Sequence, residues 1–159
     1  MNAKQQLLRK AKDSDIPDLV RHIHNTIKQC YPAIYSSEVV QFFLEYHNGK
    51  VVLDKVNNET VMVLFDHGKL VGTGYLNKDE IGGVYIDPQY QRKGYGSKIV
   101  KKLLNIAKTK NIETVWLDAT PIAYKFYLIL GFRLIEEKTD FVGEKFSPLL
   151  YYKMQKELI

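Results

Sequence analysis

Apolar positions change their period several times along the chain, and each change predicts an element. From Gln6 to Ala11 a weak two-residue alternation reads as a first short strand. Asp13-Ser14-Asp15-Ile16-Pro17 then joins capping residues to a proline near a first helical turn, and Leu19, Val20, Ile23 and Ile27 follow at helical spacing. Tyr31-Pro32 interrupts this helix. Ser36-Ser37-Glu38 opens a second one through Val39, Val40, Phe43 and Leu44, with Asn48-Gly49 as its stop, so a helical hairpin is predicted. Residues 50–59 fit neither period clearly.

Val61 to Phe65 and Leu70 to Leu76, joined by Asp66-His67-Gly68-Lys69, predict a β-hairpin. Glu80 to Asp87 is a further strand, stopped at Pro88. Gly94 to Lys110 is an amphipathic helix that turns Ile99, Val100, Leu103, Leu104, Ile106 and Ala107 inward. Thr114 to Leu117 is a short strand, and Thr120-Pro121 caps and starts a helix that reaches Leu130, with Gly131 as its C′ residue. Phe132 to Glu137 and Leu149 to Lys153 supply two last strands. No internal repeat or linker breaks the pattern, and 159 residues suit one core, so residues 1–159 are expected to form a single domain.

Composition narrows the class. With 45% hydrophobic and 26% charged residues the chain has the makeup of a folded globular protein rather than a disordered or fibrous one. The longest apolar runs, Val61 to Phe65 and Phe126 to Leu130, are far short of the roughly 18 residues a membrane span needs. Lys4, Arg9, Lys10, Lys12 and Asp13 leave no uninterrupted apolar stretch for a secretory signal. Cys30 is the single cysteine, which excludes an intrachain disulfide and a cysteine-based metal site and makes a reducing, cytoplasmic setting the expectation. The net charge of +5 is local: Arg92, Lys93, Lys98, Lys101, Lys102, Lys108 and Lys110 fall between Gln91 and Lys110 with no acid among them. That stripe suits a phosphorylated ligand, a nucleic acid or a solvated helix face.

The segment Val84-Tyr85-Ile86-Asp87-Pro88-Gln89-Tyr90-Gln91-Arg92-Lys93-Gly94-Tyr95-Gly96-Ser97 runs from a strand into a helix N-terminus. Unpaired backbone N–H groups converge at such a junction, the helix dipole adds positive charge, and Gly94 and Gly96 let a phosphate approach without Cβ obstruction. A structural turn with a helix start is the alternative. No GxxxxGK[ST] occurs and the dinucleotide fingerprint lacks its third glycine, which disfavours both common nucleotide motifs.

A second segment, Ala123 to Phe132, follows Leu117-Asp118-Ala119-Thr120-Pro121. Together the two segments resemble the GNAT N-acetyltransferase superfamily: its pyrophosphate loop R/Q-x-x-G-x-G/A in Gln91, Gly94 and Gly96, and its helix ending A-x-x-x-Y-x-x-x-G-F in Ala123, Tyr127, Gly131 and Phe132. Leu8 to Asp15 is similar to the family's first strand and helix start. The resemblance implies an α/β (α+β) fold: a mixed, mostly antiparallel sheet of about six to seven strands flanked by about four helices, with a parallel central pair that splays apart. It also implies acetyl-CoA in that splay, as acetyl donor and without a metal. Carried over by position, Val84, Tyr85 and Ile86 would present backbone groups to pantetheine, and Gln91, Arg92, Lys93, Gly94, Tyr95, Gly96 and Ser97 would wrap the pyrophosphate.

Tyr127 matches the family's thiolate-protonating tyrosine. The CoA thiol has pKa about 8.5 and a free tyrosine about 10, so complete proton transfer is uphill by roughly 2 kcal/mol and a strong hydrogen bond suffices. A buried core tyrosine is the alternative. On the acceptor side, an alkylammonium of pKa about 10.4 costs roughly 4.6 kcal/mol to neutralise at pH 7. Glu80 matches the glutamate base of the lysine-acetylating branch, with a strand-edge charge as the alternative.

His22 and His24 point in different directions on one helix and share no metal site, while His47 and His67 near turns are expected to face solvent. Tyr31, Tyr35, Phe42, Phe43 and Tyr46 read as core packing, part of which can shape the acceptor site. Cys30 lies outside both motifs. The expected function is direct ternary-complex acetyl transfer to a primary amine of a small molecule or protein. Its rivals are a non-catalytic acyl-CoA-binding regulatory module and, less consistent with the motifs, a nucleic-acid-binding protein; a homodimer is compatible with the sequence.

Overall fold

The computed structural model describes residues 5–158; residues 1–4 and 159, which the expected domain includes, lie outside the described residues. Seven strands form one sheet in the order β1-β2-β3-β4-β5-β7-β6. They are β1 (Gln6–Lys10), β2 (Thr60–Asp66), β3 (Lys69–Asn77), β4 (Glu80–Ile86), β5 (Thr114–Ala119), β6 (Arg133–Val142) and β7 (Ser147–Glu157). Every neighbouring pair is antiparallel except β4 and β5, which run parallel and pair only at Glu80 and Trp116. The mixed, mostly antiparallel sheet with one parallel pair is the fold class the motifs imply.

Five α-helices cover the sheet: α1 (Ile16–Cys30), α2 (Ser37–Tyr46), α3 (Gly49–Asn58), α4 (Tyr95–Thr109) and α5 (Tyr124–Ile129). The additional helix is α3, which occupies the stretch that fits neither period. Asn48-Gly49 ends one helix and also starts the next, because the Asn48 side chain accepts from the Val51 N–H at 3.0 Å as an N-cap. Two further boundaries differ from the pattern reading. Thr120 Oγ caps a turn, accepting from Ala123 N at 3.3 Å, and α5 starts only at Tyr124. The last two strands are longer than Phe132 to Glu137 and Leu149 to Lys153 suggest; β6 is exposed along most of its length, so no alternating burial marks its extent.

Two cores lie on opposite faces of the sheet. α4 packs Ile99, Val100, Leu103 and Leu104 against Met62, Leu64, Val71, Ile81 and Leu117. On the other face α1, α2 and α3 pack Leu19, Ile27, Val39 and Val52 against Val61, Val63 and Leu70. Because side chains alternate along a strand, Val115, Leu117 and Ala119 take the α4 face and Asp118 takes the other.

The site depends on β4. A bulge interrupts its register with β3 between Thr73 and Tyr75, and Gly83 there has φ +59°. A Cβ on Gly83 would stand 2.7 Å from the Tyr75 ring, so the glycine allows both the bend and the close approach. Beyond Glu80 the strand leaves β5, and the sheet opens.

Candidate active site

Where β4 and β5 diverge, a cleft of about 580 Å³ runs from the strand gap to the start of α4. Its floor is Val84, Tyr85 and Ile86, its far end Gln91, Arg92, Gly94, Gly96 and Ser97, and one wall Phe126 and Ile129 of α5. Arg92 and Gly94 both take the left-handed conformation, at φ +61° and +84°, which curls the loop so that successive N–H groups face one concavity. Gly94 is the N-cap of α4 and offers no side-chain cap, so the N–H groups of the first turn keep their donor capacity. No acidic residue stands in that turn.

The loop is held by its own side chains. Gln91 Nε2 donates to the Ile86 carbonyl at 2.9 Å and lies 3.7 Å from Cys30 Sγ, so Cys30, though outside both motifs, lines the cleft. Tyr95 is buried beneath the helix, donating to Asp66 Oδ2 at 2.8 Å and accepting from Gln6 Nε2 at 3.2 Å. Lys93 Nζ lies 5.3 Å above the Tyr90 ring, and Lys98 Nζ donates to Gln6. The side chains of Tyr95, Lys93 and Lys98 are thus engaged elsewhere, and of residues 91–97 those that line the cleft are Gln91, Arg92, Gly94, Gly96 and Ser97. The Tyr85 carbonyl accepts from His22 Nε2 at 2.8 Å, which assigns that nitrogen the proton and takes up one of the strand's acceptor sites.

Tyr127 stands at the inner end of the cleft, only 6% exposed. The spacing that singles it out has a structural cause. Gly131 follows α5 at φ +92°, the Phe132 N–H returns to the Tyr127 carbonyl at 3.0 Å, and the Phe132 ring packs edge-on against Tyr127 at 5.6 Å. This closure fixes the ring. Among the described residues no partner engages the Tyr127 hydroxyl, and burial pushes its phenol above the ordinary 10.

A second cavity of about 410 Å³ opens on the α2 side of the gap. It shares Tyr31, Val84, Tyr85, Thr120, Ala123 and Tyr127 with the first, so the two cavities adjoin along these residues. Glu80 lines this second cavity and accepts from the Tyr75 hydroxyl at 3.3 Å. Burial holds its carboxyl above the ordinary 4.5, against the opposing effects of that hydrogen bond and of Lys55. Asp118 and Asp140, which the sequence reading did not single out, line the same cavity.

His47 also lies here, and its expected exposure to solvent is corrected: it is 6% exposed. Its Nε2 meets the Tyr85 hydroxyl at 3.0 Å, and its carbonyl accepts from His24 Nε2 at 2.8 Å. Burial, with Lys55 and His24 nearby, pushes its pKa down to about 4, so it is neutral at pH 7. The turn signal at Asn48-Gly49 hid it, because the following helix packs the turn inward. His67, in contrast, is exposed and bonded to Asp66. Of the aromatic group, Tyr31 and Tyr35 are buried as core residues, whereas Phe42 and Tyr46 are 39% and 49% exposed on the cavity rim. Among the described residues no cluster of three or more His, Cys, Asp or Glu is placed to hold a metal ion, and no helix is long and apolar enough to cross a membrane.

Residues 20–132 match the Acetyltransferase (GNAT) family, and the chain belongs to it. It is 25% identical over 153 residues to a spermidine N(1)-acetyltransferase of Thermoplasma acidophilum, covering 87% of this chain and 95% of that protein. Over 69 residues, 42% of this chain and 48% of the relative, it is 29% identical to a [ribosomal protein bS18]-alanine N-acetyltransferase of Haemophilus ducreyi. The fold superimposes on a GCN5-related N-acetyltransferase of Rhodopseudomonas palustris with TM-score 0.87 at 19% identity, covering 99% of this chain and 98% of that one. It also matches the PaiA N-acetyltransferase of T. acidophilum in complex with coenzyme A, with TM-score 0.79 at 19% identity and coverage of 96% and 98%. The protein is thus an acyltransferase of the N-acetyltransferase type.

Proposed function

We propose that this chain transfers the acetyl group of acetyl-CoA to a primary amine by direct attack within a ternary complex. The observation that carries the reading is that two cavities adjoin and that Tyr127, a buried tyrosine with no hydrogen-bond partner for its hydroxyl among the described residues, lines both. The cleft residues suit coenzyme A: a basic, acid-free helix start with open N–H groups suits a pyrophosphate, and the apolar wall of Ile86, Phe126 and Ile129 suits the thioester arm. Acetyl-CoA supplies an activated acyl group: as the neutral amine forms the C–N bond the C–S bond breaks, the sulfur departs as a thiolate, and the proton that the new amide nitrogen sheds neutralises that thiolate.

Tyr127 donates a hydrogen bond to the departing sulfur. Its hydroxyl stays protonated throughout, because burial holds the phenol above the thiol. Glu80 takes the proton of the acceptor ammonium, directly or through water, and its raised carboxyl is a better base than a solvated glutamate. Val84 and Tyr85 form the floor common to both cavities and align the two partners. Tyr85 is itself braced, by His22 at its carbonyl and His47 at its hydroxyl.

A thiol-release assay with acetyl-CoA against a panel of primary amines tests the proposal, alongside calorimetric titration with CoA. Turnover with at least one amine is the expected result. Tight CoA binding with no turnover on any amine would favour a non-catalytic acyl-CoA-binding module. Indifference to CoA would remove the reading altogether.

A further inference from the structure

We infer that Lys55 is a positioning residue for acetyl transfer: its ammonium, held between Glu59 and the Tyr75 ring, fixes Tyr75 and through it the carboxylate of Glu80. The inference rests on the reading of Glu80 as the base and deepens it. Lys55 stands in the last turn of α3 and does not itself line the second cavity. Its Nζ lies 3.6 Å from Glu59 Oε2 and 4.0 Å from the centroid of the Tyr75 ring. Tyr75 does line the cavity, and its hydroxyl donates to Glu80 Oε1 at 3.3 Å. Four side chains thus form a continuous line from α3 to the cavity wall.

An i,i+4 lysine–glutamate pair on a helix is ordinarily solvated and contributes little. This one is buried: the two side chains are only 15% and 13% exposed. A hydrogen bond between an ammonium and a carboxylate closes to about 2.8 Å. Here the separation is longer, and Glu59 Oε2 is buried without any hydrogen-bond partner among the described residues. The ammonium is therefore shared with the aromatic ring rather than neutralised by the carboxylate alone. The ring is confined by β4 as well. A Cβ on Gly82 would strike the Tyr75 hydroxyl, and one on Gly83 would stand 2.7 Å from the ring, so the two glycines let the β4 backbone close on Tyr75. Backbone and ammonium together hold the hydroxyl where Glu80 receives it.

The charges around Glu80 make the role testable. Lys55 and Glu59 face it from α3 and its C-cap, Tyr75 from β3 and Asp118 from β5, while His47, Asp140 and Tyr151 line the same cavity. Burial raises the Glu80 carboxyl; the Tyr75 hydrogen bond and Lys55 oppose that effect, and Asp118 and Glu59 add to it. Removing Lys55 takes away an opposing charge and loosens Tyr75, so Glu80 should rise further. Removing the charge of Glu59 should lower it. Opposite shifts from the two members of one ion pair are not produced by a general loss of packing.

The test titrates Glu80 by carbon-13 NMR of the side-chain carboxyls, its resonance assigned by its loss in Glu80→Gln, in the wild type, Lys55→Met, Lys55→Arg and Glu59→Gln. The pH profile of kcat/KM for n-butylamine with acetyl-CoA is measured in parallel. Lys55→Met should raise both the Glu80 titration and the acid limb of the profile by about half a pH unit or more, and Glu59→Gln should lower both. Lys55→Arg, which keeps a cation over the ring, should leave both within about 0.2 units of wild type. Calorimetric CoA binding reports that each variant is folded, and Glu59→Gln carries the test alone if Lys55→Met does not fold. Shifts of the same sign in the two charge-removing variants, or none in either, would overturn the inference and leave amine transfer standing. A Glu80 titration that moves while the acid limb stays fixed would remove Glu80 as the base, and the inference with it. Inactivity toward every amine would remove the transfer reading beneath both, whatever the titration shows.

Discussion

Replacing Tyr127 by phenylalanine deletes one oxygen from a side chain that lines both cavities. The ring should stay in place, because its contacts are to Phe126 and Phe132 and its hydroxyl has no partner among the described residues. The cost in stability is therefore about 0.5 kcal/mol or less, which in a chain of this size moves the thermal midpoint by no more than about 2 °C. The effect on chemistry is much larger. A donor in a water-poor site aimed at a developing negative charge contributes about 10²- to 10³-fold, or roughly 2.7 to 4 kcal/mol. Because burial raises the phenol above 10, the hydroxyl donates a hydrogen bond without ionising, and wild-type activity should show no loss from this group below about pH 10. Single-turnover mixing of the acetyl-CoA complex with saturating amine isolates the step from product release. A fall of about 10²-fold with CoA affinity kept within about twofold is expected. A single-turnover rate within about twofold of wild type, in a variant that melts normally, would refute the assigned role and return Tyr127 to core packing.

Three further outcomes follow from the geometry. Glu80→Gln should lower kcat/KM for alkylamines far more than for arylamines, which are already neutral at pH 7. In the wild type, alkylamine activity should fall with decreasing pH at a value above the ordinary 4.5 of a glutamate, as read from a pH–rate profile. Gly96→Val should weaken CoA binding by at least about tenfold in calorimetry: a Cβ there already meets Phe126 at 3.2 Å and Ile86 at 3.5 Å, so the added methyls force the wall into the cleft. Asp15→Asn should cost about 2 kcal/mol in urea denaturation at pH 7, because it removes the paired bonds from Arg9 at 2.7 and 2.9 Å. The Asp15 carboxyl is held below its ordinary 3.8, chiefly by Arg9, so this stability is present above 3.8 and disappears as pH falls through the lowered value, where variant and wild type should converge.

The parts of the site legible in the sequence are those built by short-range geometry. A left-handed glycine before a helix start, a helix closed by Gly131-Phe132, and the spacing that puts Tyr127 one turn before that closure all depend on residues within a few positions of one another. Such features leave their mark as residue type at fixed spacing, since the backbone conformation admits few side chains. The amphipathic helices α1 and α4 were equally legible, because one face of each is buried at regular intervals. Residues 50–59 were not, because Asn48-Gly49 serves as both stop and start, and Val51, Val52 and Val56 are β-branched residues among polar ones.

Tertiary structure alone decided what faces the second cavity. His47 sits at a turn whose sequence suggests solvent, and only the packing of α3 and the Tyr85 hydroxyl draw it inward. Asp118 and Asp140 stand 22 positions apart, and they share a cavity because β7 pairs between β5 and β6 and because Glu38 of α2 accepts from Ser147 and the Lys145 backbone at the β6–β7 turn. Likewise, Tyr95 and Lys93 belong to the loop by sequence, but their side chains are engaged by Asp66 and Tyr90. The sequence by itself determined the family, the helix-start geometry of the cleft and the position of its tyrosine, because backbone conformation is a local property. Which charges meet in the second cavity depends on strand order and on burial between segments distant in the chain, and those are settled only when the sheet closes its hydrophobic faces.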